Sequence, residues 1–155
     1  RALLDDCPLD ELAEADAGYL WMYGTVGAAV VSSTVGDRRW AEAARQALAP
    51  YSGRNCVLGY AAYLGAVDHH LGCVEVTLGR LDDAVAHLEA ALERHRTIGA
   101  RPWAAVSAAW LANALVARGG PDDAERADRL WADAAEEAAD LGLAILPAPH
   151  PQLAR

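Results

Sequence analysis

The sequence contains no lysine and no phenylalanine, and only one of its 155 residues is a methionine. A Walker-type phosphate-binding loop needs a lysine, so the chain has no nucleotide site of that class. It also lacks the Gly-x-Ser-x-Gly elbow of serine hydrolases, and no other residues at readable spacing form a catalytic set. We therefore expect a protein that is not an enzyme and that needs no cofactor.

Cysteine and positive charge are also scarce. The three cysteines, Cys7, Cys56 and Cys73, show no disulfide spacing, which indicates a reducing compartment and favours the cytoplasm. No apolar run reaches the roughly 18–20 residues of a membrane-spanning helix, so we expect no membrane association. The net charge of −9 gives a surface that repels phosphates, so we expect no direct contact with nucleic acid. Because the chain begins with Arg1 rather than Met, we expect a segment of a longer polypeptide.

Alanine, by contrast, is abundant, with 36 copies. It is the best helix former, and its small side chain lets neighbouring helices approach closely, so the composition predicts an all-α protein. The five tryptophans fall in or at the start of helical segments, and we expect them mainly in the core. With glycine and proline as breaks, the predicted helices are 17–35, 38–49, 57–78, 81–98, 102–118 and 122–140, with a short helical turn at 9–14.

A pattern of an apolar helix, a glycine, a polar turn and a second helix occurs three times. The hinge glycines are Gly36, Gly79 and Gly119, at offsets of 43 and 40 residues. A period of about 40 residues built from two helices indicates an α-solenoid.

Small residues recur inside each unit. Gly72, Ala84 and Ala91 are spaced so that they meet where the two helices of a pair cross closely. Gly79 is expected to end the first helix with a positive φ angle. In the third unit the corresponding small residues are Ala112, Ala127 and Ala134.

These residues resemble the tetratricopeptide repeat, in a variety with longer helices. Three segments in order, LAPYSGRN (48–55), LGRLDDAVAHLEAAL (78–92) and GARPW (99–103), are similar to the C-terminal helical-repeat region of large bacterial regulators. Such regulators carry a signal-transduction ATPase together with a LuxR-type DNA-binding domain or a cyclase domain.

The resemblance covers residues 17–142 and implies a right-handed α-solenoid of about three helix pairs. Residues 1–16 are then the acidic end of a preceding repeat or a linker. Residues 143–155 contain three prolines in LPAPHPQLAR and are interpreted as a linker or a loosely docked end.

In such arrays the first helix of each pair lines a concave groove. The repeat register places there Tyr23, Val26, Val30 and Ser33 from the first unit, Ala66, His69, Cys73 and Val76 from the second, and Val106, Ala109, Asn113 and Val116 from the third. This largely apolar set suits an amphipathic helix or an apolar effector better than a charged peptide. The resemblance thus implies a non-catalytic module for protein interaction or effector sensing in signal transduction.

Two alternatives remain open. The same residues are also compatible with packing against a neighbouring repeat or against a second copy of the chain, which would make the segment a dimerisation module. The stretch DHHLGC (68–73) places His69 and Cys73 four residues apart on one helix face, as in a zinc site. Because zinc needs three or four protein ligands, we interpret these residues instead as ordinary helix surface and groove positions, with no metal.

Overall fold

The structure is a computed structural model that describes residues 21–144 and 146–149. Across these residues the chain is mostly helical, as predicted, but it also contains one small sheet. The expected acidic end at 1–16, with its helical turn at 9–14, lies outside the described residues. The helices are α1 (Trp21–Val35), α2 (Arg38–Leu48), α3 (Val67–Leu78), α4 (Leu81–Thr97), α5 (Arg101–Arg118) and α6 (Asp123–Asp140).

Between α2 and α3 the chain forms a 3-10 turn and an antiparallel hairpin. The turn is Ala49–Tyr51, and the strands are β1 (Asn55–Leu58) and β2 (Ala62–Ala66). Val57 pairs with Tyr63, and Leu58 with Ala62.

The prediction of a helix over 57–78 is therefore wrong for 57–66. Gly59 and Gly65 both adopt positive φ angles (54° and 91°) that an α-helix does not allow. A β-carbon on Gly65 would lie 2.8 Å from the Trp103 ring, so the strand backbone packs directly on that indole. Two glycines among valine and tyrosine residues favour a strand with turns more than a helix interior.

The hinge glycines end helices as predicted. Gly79 caps α3 in the left-handed conformation (φ 76°), and its N–H bonds the carbonyl of Val76. Gly119 does the same after α5 (φ 67°) and bonds Leu115 at 2.9 Å. These bonds satisfy carbonyl groups that the end of a helix leaves without partners.

Each helix packs on the next along the chain, and α1 also packs on α3. The predicted close crossing of α3 and α4 is confirmed, because a β-carbon on Gly72 would lie 2.4 Å from Leu88 Cγ and 3.1 Å from the Ala84 carbonyl oxygen. Arg38 joins the start of α2 to the end of α3, because its guanidinium donates to the carbonyls of Thr77 (2.9 Å) and Leu78 (2.7 Å).

Helix α3 belongs to both hydrophobic clusters. Its residues Val67, Leu71 and Val74 pack in a cluster with α1, α2 and β1, while Cys73 belongs to a second cluster with α4, α5 and α6. As a result the first nine residues of α3 are all buried.

Candidate functional site

The polar residues at the start of α3 are not on the surface. Asp68, His69, His70 and Glu75 are each less than 10 % exposed. Our interpretation of this stretch as ordinary helix surface and groove positions was wrong as to the surface, because helices on both sides and the hairpin cover α3. Buried polar groups of this kind require hydrogen-bond partners.

His69 and His95 share a buried hydrogen-bond chain that joins β2, α4, α5 and α3. The Ala66 N–H donates to His95 Nε2 at 2.9 Å, so the proton of that ring is on Nδ1. His95 Nδ1 then donates to Ser107 Oγ at 3.0 Å, and the Ser107 hydroxyl donates to His69 Nδ1 at 2.8 Å. His69 Nε2 is left to donate to Cys73 Sγ, 3.7 Å away.

The histidines of this cluster are neutral at neutral pH. Burial lowers the pKa of His70 to about 4, and burial with the nearby His70 ring lowers the pKa of His95 to about 4. Burial, with the rings of His70 and His95, also holds the pKa of His69 well below its usual range. The Trp103 ring lies against all three, with centroids 5.3–5.9 Å apart.

This cluster has the geometry of a structural network more than that of a reactive centre. Burial raises the pKa of the Cys73 thiol well above its ordinary value, so the group is a thiol and not a nucleophilic thiolate. Ser107 is fully buried and its hydroxyl is already held between two imidazoles. The chain of bonds therefore fixes four elements together.

The residues suggested for zinc do not come together as a metal site. His69 and Cys73 are neighbours, but both nitrogens of His69 already face partners. Within residues 21–144 and 146–149, no group of three or more His, Cys, Asp and Glu side chains is placed to hold a metal ion.

A second polar cluster lies at the other face of α3. Asp68 accepts hydrogen bonds from Ser52 Oγ (2.7 Å) and from the Gly53 N–H (2.9 Å), which fixes the loop before the hairpin. Glu75 lies 2.7 Å from His87 Nδ1 on α4, and this hydrogen bond raises the pKa of His87. Both carboxylates are thus paired inside the fold.

A mostly apolar groove lies between α1, α3 and α5, and we call it the α1–α5 groove. It consists of two adjoining cavities of about 370 Å³ each. The first is lined by Val30, Ser33, Thr34, His69, His70, Cys73, Trp103, Val106, Trp110 and Leu146–Ala148. The second is lined by Ser33, Thr34, Val76, Trp110, Asn113, Ala117, Pro147 and Ala148.

The structure brings together seven of the twelve residues predicted for the groove. Those in the α1–α5 groove are Val30, Ser33, His69, Cys73, Val76, Val106 and Asn113. Val116 packs against the second hydrophobic cluster instead. Val26, Ala66 and Ala109 are buried in the core instead, and Ala66 lies at the end of β2 and not on a helix. Tyr23 is exposed but lines neither cavity.

Sequence reasoning missed two tryptophans of the groove. Trp103 and Trp110 were expected in the core, whereas both are only partly buried and line the first cavity. The signal was present for Trp110, which follows Val106 by four residues and precedes Asn113 by three, and therefore shares their helix face.

The groove also contains part of the C-terminal tail. Leu146 packs against the cluster formed by α4, α5 and α6, and Pro147 and Ala148 line both cavities. Asn113 Nδ2 donates to the Ala148 carbonyl at 2.9 Å. Asn113, which we predicted to lie in the groove, is thus bonded to the chain's own backbone.

A further cavity of about 310 Å³ lies between α4, α5 and α6. Its rim is charged, and Arg101 there is already paired with Glu137 and Asp140. The lining of this cavity is therefore more polar than that of the α1–α5 groove.

Comparisons of the chain with protein-family models, with curated proteins and with solved structures found no match. Among the described helices, none combines the length and the hydropathy that crossing a membrane requires.

Proposed function

We propose that this chain is a non-catalytic interaction module of a larger bacterial transcriptional regulator with a signal-transduction ATPase. In this proposal the helices form a right-handed tetratricopeptide-like solenoid, and the α1–α5 groove receives a protein or peptide partner or a small apolar effector. The observation that carries it is the groove itself, which is lined by the first helix of each of three successive pairs. The class of parent protein rests on the resemblance of segments 48–55, 78–92 and 99–103 alone.

The lining favours an uncharged ligand. Val30, Val106 and Trp110 give an apolar surface, and Ser33, Thr34 and Asn113 add neutral polar groups. Among the residues described, no Asp, Glu or Arg lines either cavity, although the chain has a net charge of −9. A charged peptide would lose its hydration there without gaining an ion pair.

The test uses two neighbouring valines of α1 as a matched pair. Val30 is 49 % exposed and lines the groove, whereas Val31 is 42 % exposed and lines neither cavity. Peptides selected from a displayed random library against the chain are expected to bind Val30→Asp at least tenfold more weakly, because the carboxylate would be desolvated under the ligand. Fluorescence anisotropy measures the affinity, and Val31→Asp should leave it unchanged. Peptides that bind both variants equally would place the site elsewhere.

Self-association is a second candidate, because α1 exposes an apolar face. Tyr23, Val31 and Val35 are each more than 40 % exposed and do not line the groove. If this face joins two copies, sedimentation velocity at several concentrations will show a dimer that Val31→Asp shifts to monomer. The same two variants therefore separate the candidates, and a chain that stays monomeric at every concentration rejects the second one.

A further inference from the structure

The C-terminal segment Leu146–Ala148 lies in the α1–α5 groove, and its chemistry defines a ligand class. Residues 146–149 form neither helix nor strand. Prolines at 147 and 149 lack an N–H and fix φ near the polyproline value, which favours an extended backbone. Such a backbone makes no internal hydrogen bonds, so its carbonyl groups need donors from their surroundings.

The groove supplies a hydrogen-bond donor and an aromatic wall, two features that recognise an extended, proline-containing segment. Asn113 Nδ2 donates to the Ala148 carbonyl, and Trp103 and Trp110 form an aromatic part of the wall. Proline-rich peptides characteristically dock in aromatic-lined grooves in this way. Leu146 adds an apolar anchor, because its side chain packs against the core cluster next to the groove.

The tail fills the groove only in part. Two open spaces of about 370 Å³ remain beside it, and one of them extends along α5 to Asn113 and Ala117. A longer segment of the same chemistry would contact surface that the tail leaves open. It would also compete with the tail for the amide of Asn113.

We propose that the α1–α5 groove binds extended, apolar, proline-containing peptide segments, and that the chain's own Leu146–Ala148 occupies it until a partner segment displaces it. This inference rests on the proposed function and deepens it by naming the ligand class and the internal competitor. A tethered segment competes at an effective concentration in the millimolar range, so even weak intramolecular binding lowers the apparent affinity for a partner.

The test uses a labelled peptide of residues 143–152, LAILPAPHPQ, and the full chain. We expect the chain with Leu146→Asp to bind this peptide at least tenfold more tightly than the unmodified chain, because its own tail has lost the anchor. Adding Asn113→Ala should weaken that binding by about fivefold, as expected for one hydrogen bond. A control peptide with Leu146→Asp and Pro147→Gly should not bind.

A second measurement needs no variant that alters the tail. Amide resonances of Leu146 and Ala148 in the unmodified chain should move towards those of the isolated tail peptide when a groove-binding library peptide is added. If library peptides bind the groove but these resonances stay fixed, or if Leu146→Asp leaves affinity for LAILPAPHPQ unchanged, the inference is wrong and the proposed function stands. If no peptide binds in a Val30-dependent way, the proposed function fails as well.

Discussion

The Ser107 hydroxyl is the hydrogen-bond partner of two buried imidazoles, those of His69 and His95. It accepts from His95 at 3.0 Å and donates to His69 at 2.8 Å, so one hydroxyl joins α5 to α3 and α4. A hydroxyl suits this place because, unlike an amide or a carboxylate, it is small and both accepts and donates through one atom.

We expect Ser107→Ala to lower the free energy of unfolding by about 2–3 kcal/mol, because it leaves two buried ring nitrogens without hydrogen bonds. Urea denaturation followed by circular dichroism measures this. Ser32→Ala is the matched control: Ser32 is equally buried, but among the described residues its hydroxyl donates to a single partner, the Ala29 carbonyl of its own helix (3.1 Å). Its loss should cost about 1 kcal/mol or less. Equal effects of the two variants would contradict the role given to Ser107.

At the scale of helices, one interior glycine is required by close packing and another is not, and comparing Gly72 with Gly27 separates these two cases. Gly72 lies where α3 crosses α4, and there is no room for a β-carbon beside Leu88. Gly27 lies in α1, and a β-carbon there would have no atom of the described residues outside its own helix backbone within 4 Å. Both are interior helix residues, so the difference between them is packing and not backbone geometry.

Gly72→Ala should therefore destabilise the protein by about 1–3 kcal/mol, because the clash outweighs the higher helix propensity of alanine. Gly27→Ala should stabilise it by up to about 1 kcal/mol, since only propensity changes. Thermal melting of both variants measures the two shifts, and shifts of the same sign would show that crowding at Gly72 has been overstated.

The elements that could be predicted from the sequence are those with strong local signals. The alanine-rich helices α4, α5 and α6 have bounds within one residue of the predicted ones, and Gly79 and Gly119 end helices where expected. Gly59 and Gly65 were a local signal against a helix that the prediction of 57–78 did not use. The other part of the signal is tertiary, because Gly65 is required by contact with Trp103, which lies 38 residues further along the chain.

The groove was predicted in part for a similar reason. The helical register places Val30, His69 and Asn113 on the first helices of successive pairs, and all three do lie in the α1–α5 groove. The register does not show that His69 also bonds Ser107, or that the tail bonds Asn113, because both contacts join residues 35 or more positions apart.

At the scale of the whole molecule, the buried histidines make stability depend on pH. Their folded pKa values lie below the unfolded value of 6.5, so the unfolded chain binds more protons as the pH falls. Stability is thus complete above pH 6.5 and decreases as the pH falls towards 4. His87 has the opposite shift, since Glu75 raises its pKa, so it contributes stability at acidic pH.

We expect the free energy of unfolding to fall by about 1.6 kcal/mol between pH 6.5 and pH 5 for each of His70 and His95, treated as independent groups. Urea denaturation at pH 7, 6 and 5 measures the change in a range where most carboxylates stay ionised. The chain with His87→Gln should show a fall at least as steep. A stability that is constant from pH 7 to pH 5 would mean that water or a carboxylate reaches these imidazoles.

Helix α3 is shared by the two hydrophobic clusters, and this limits how the molecule can be divided. If the chain were cut on either side of α3, one fragment would expose an apolar face of α3. The other fragment would expose the apolar surface on which α3 had packed. Within residues 21–144 and 146–149, the fold therefore cannot be divided next to α3 into two independently packed parts. An inserted helix pair would have to lie away from α3, because an insertion beside α3 would separate it from one of the two clusters to which it belongs.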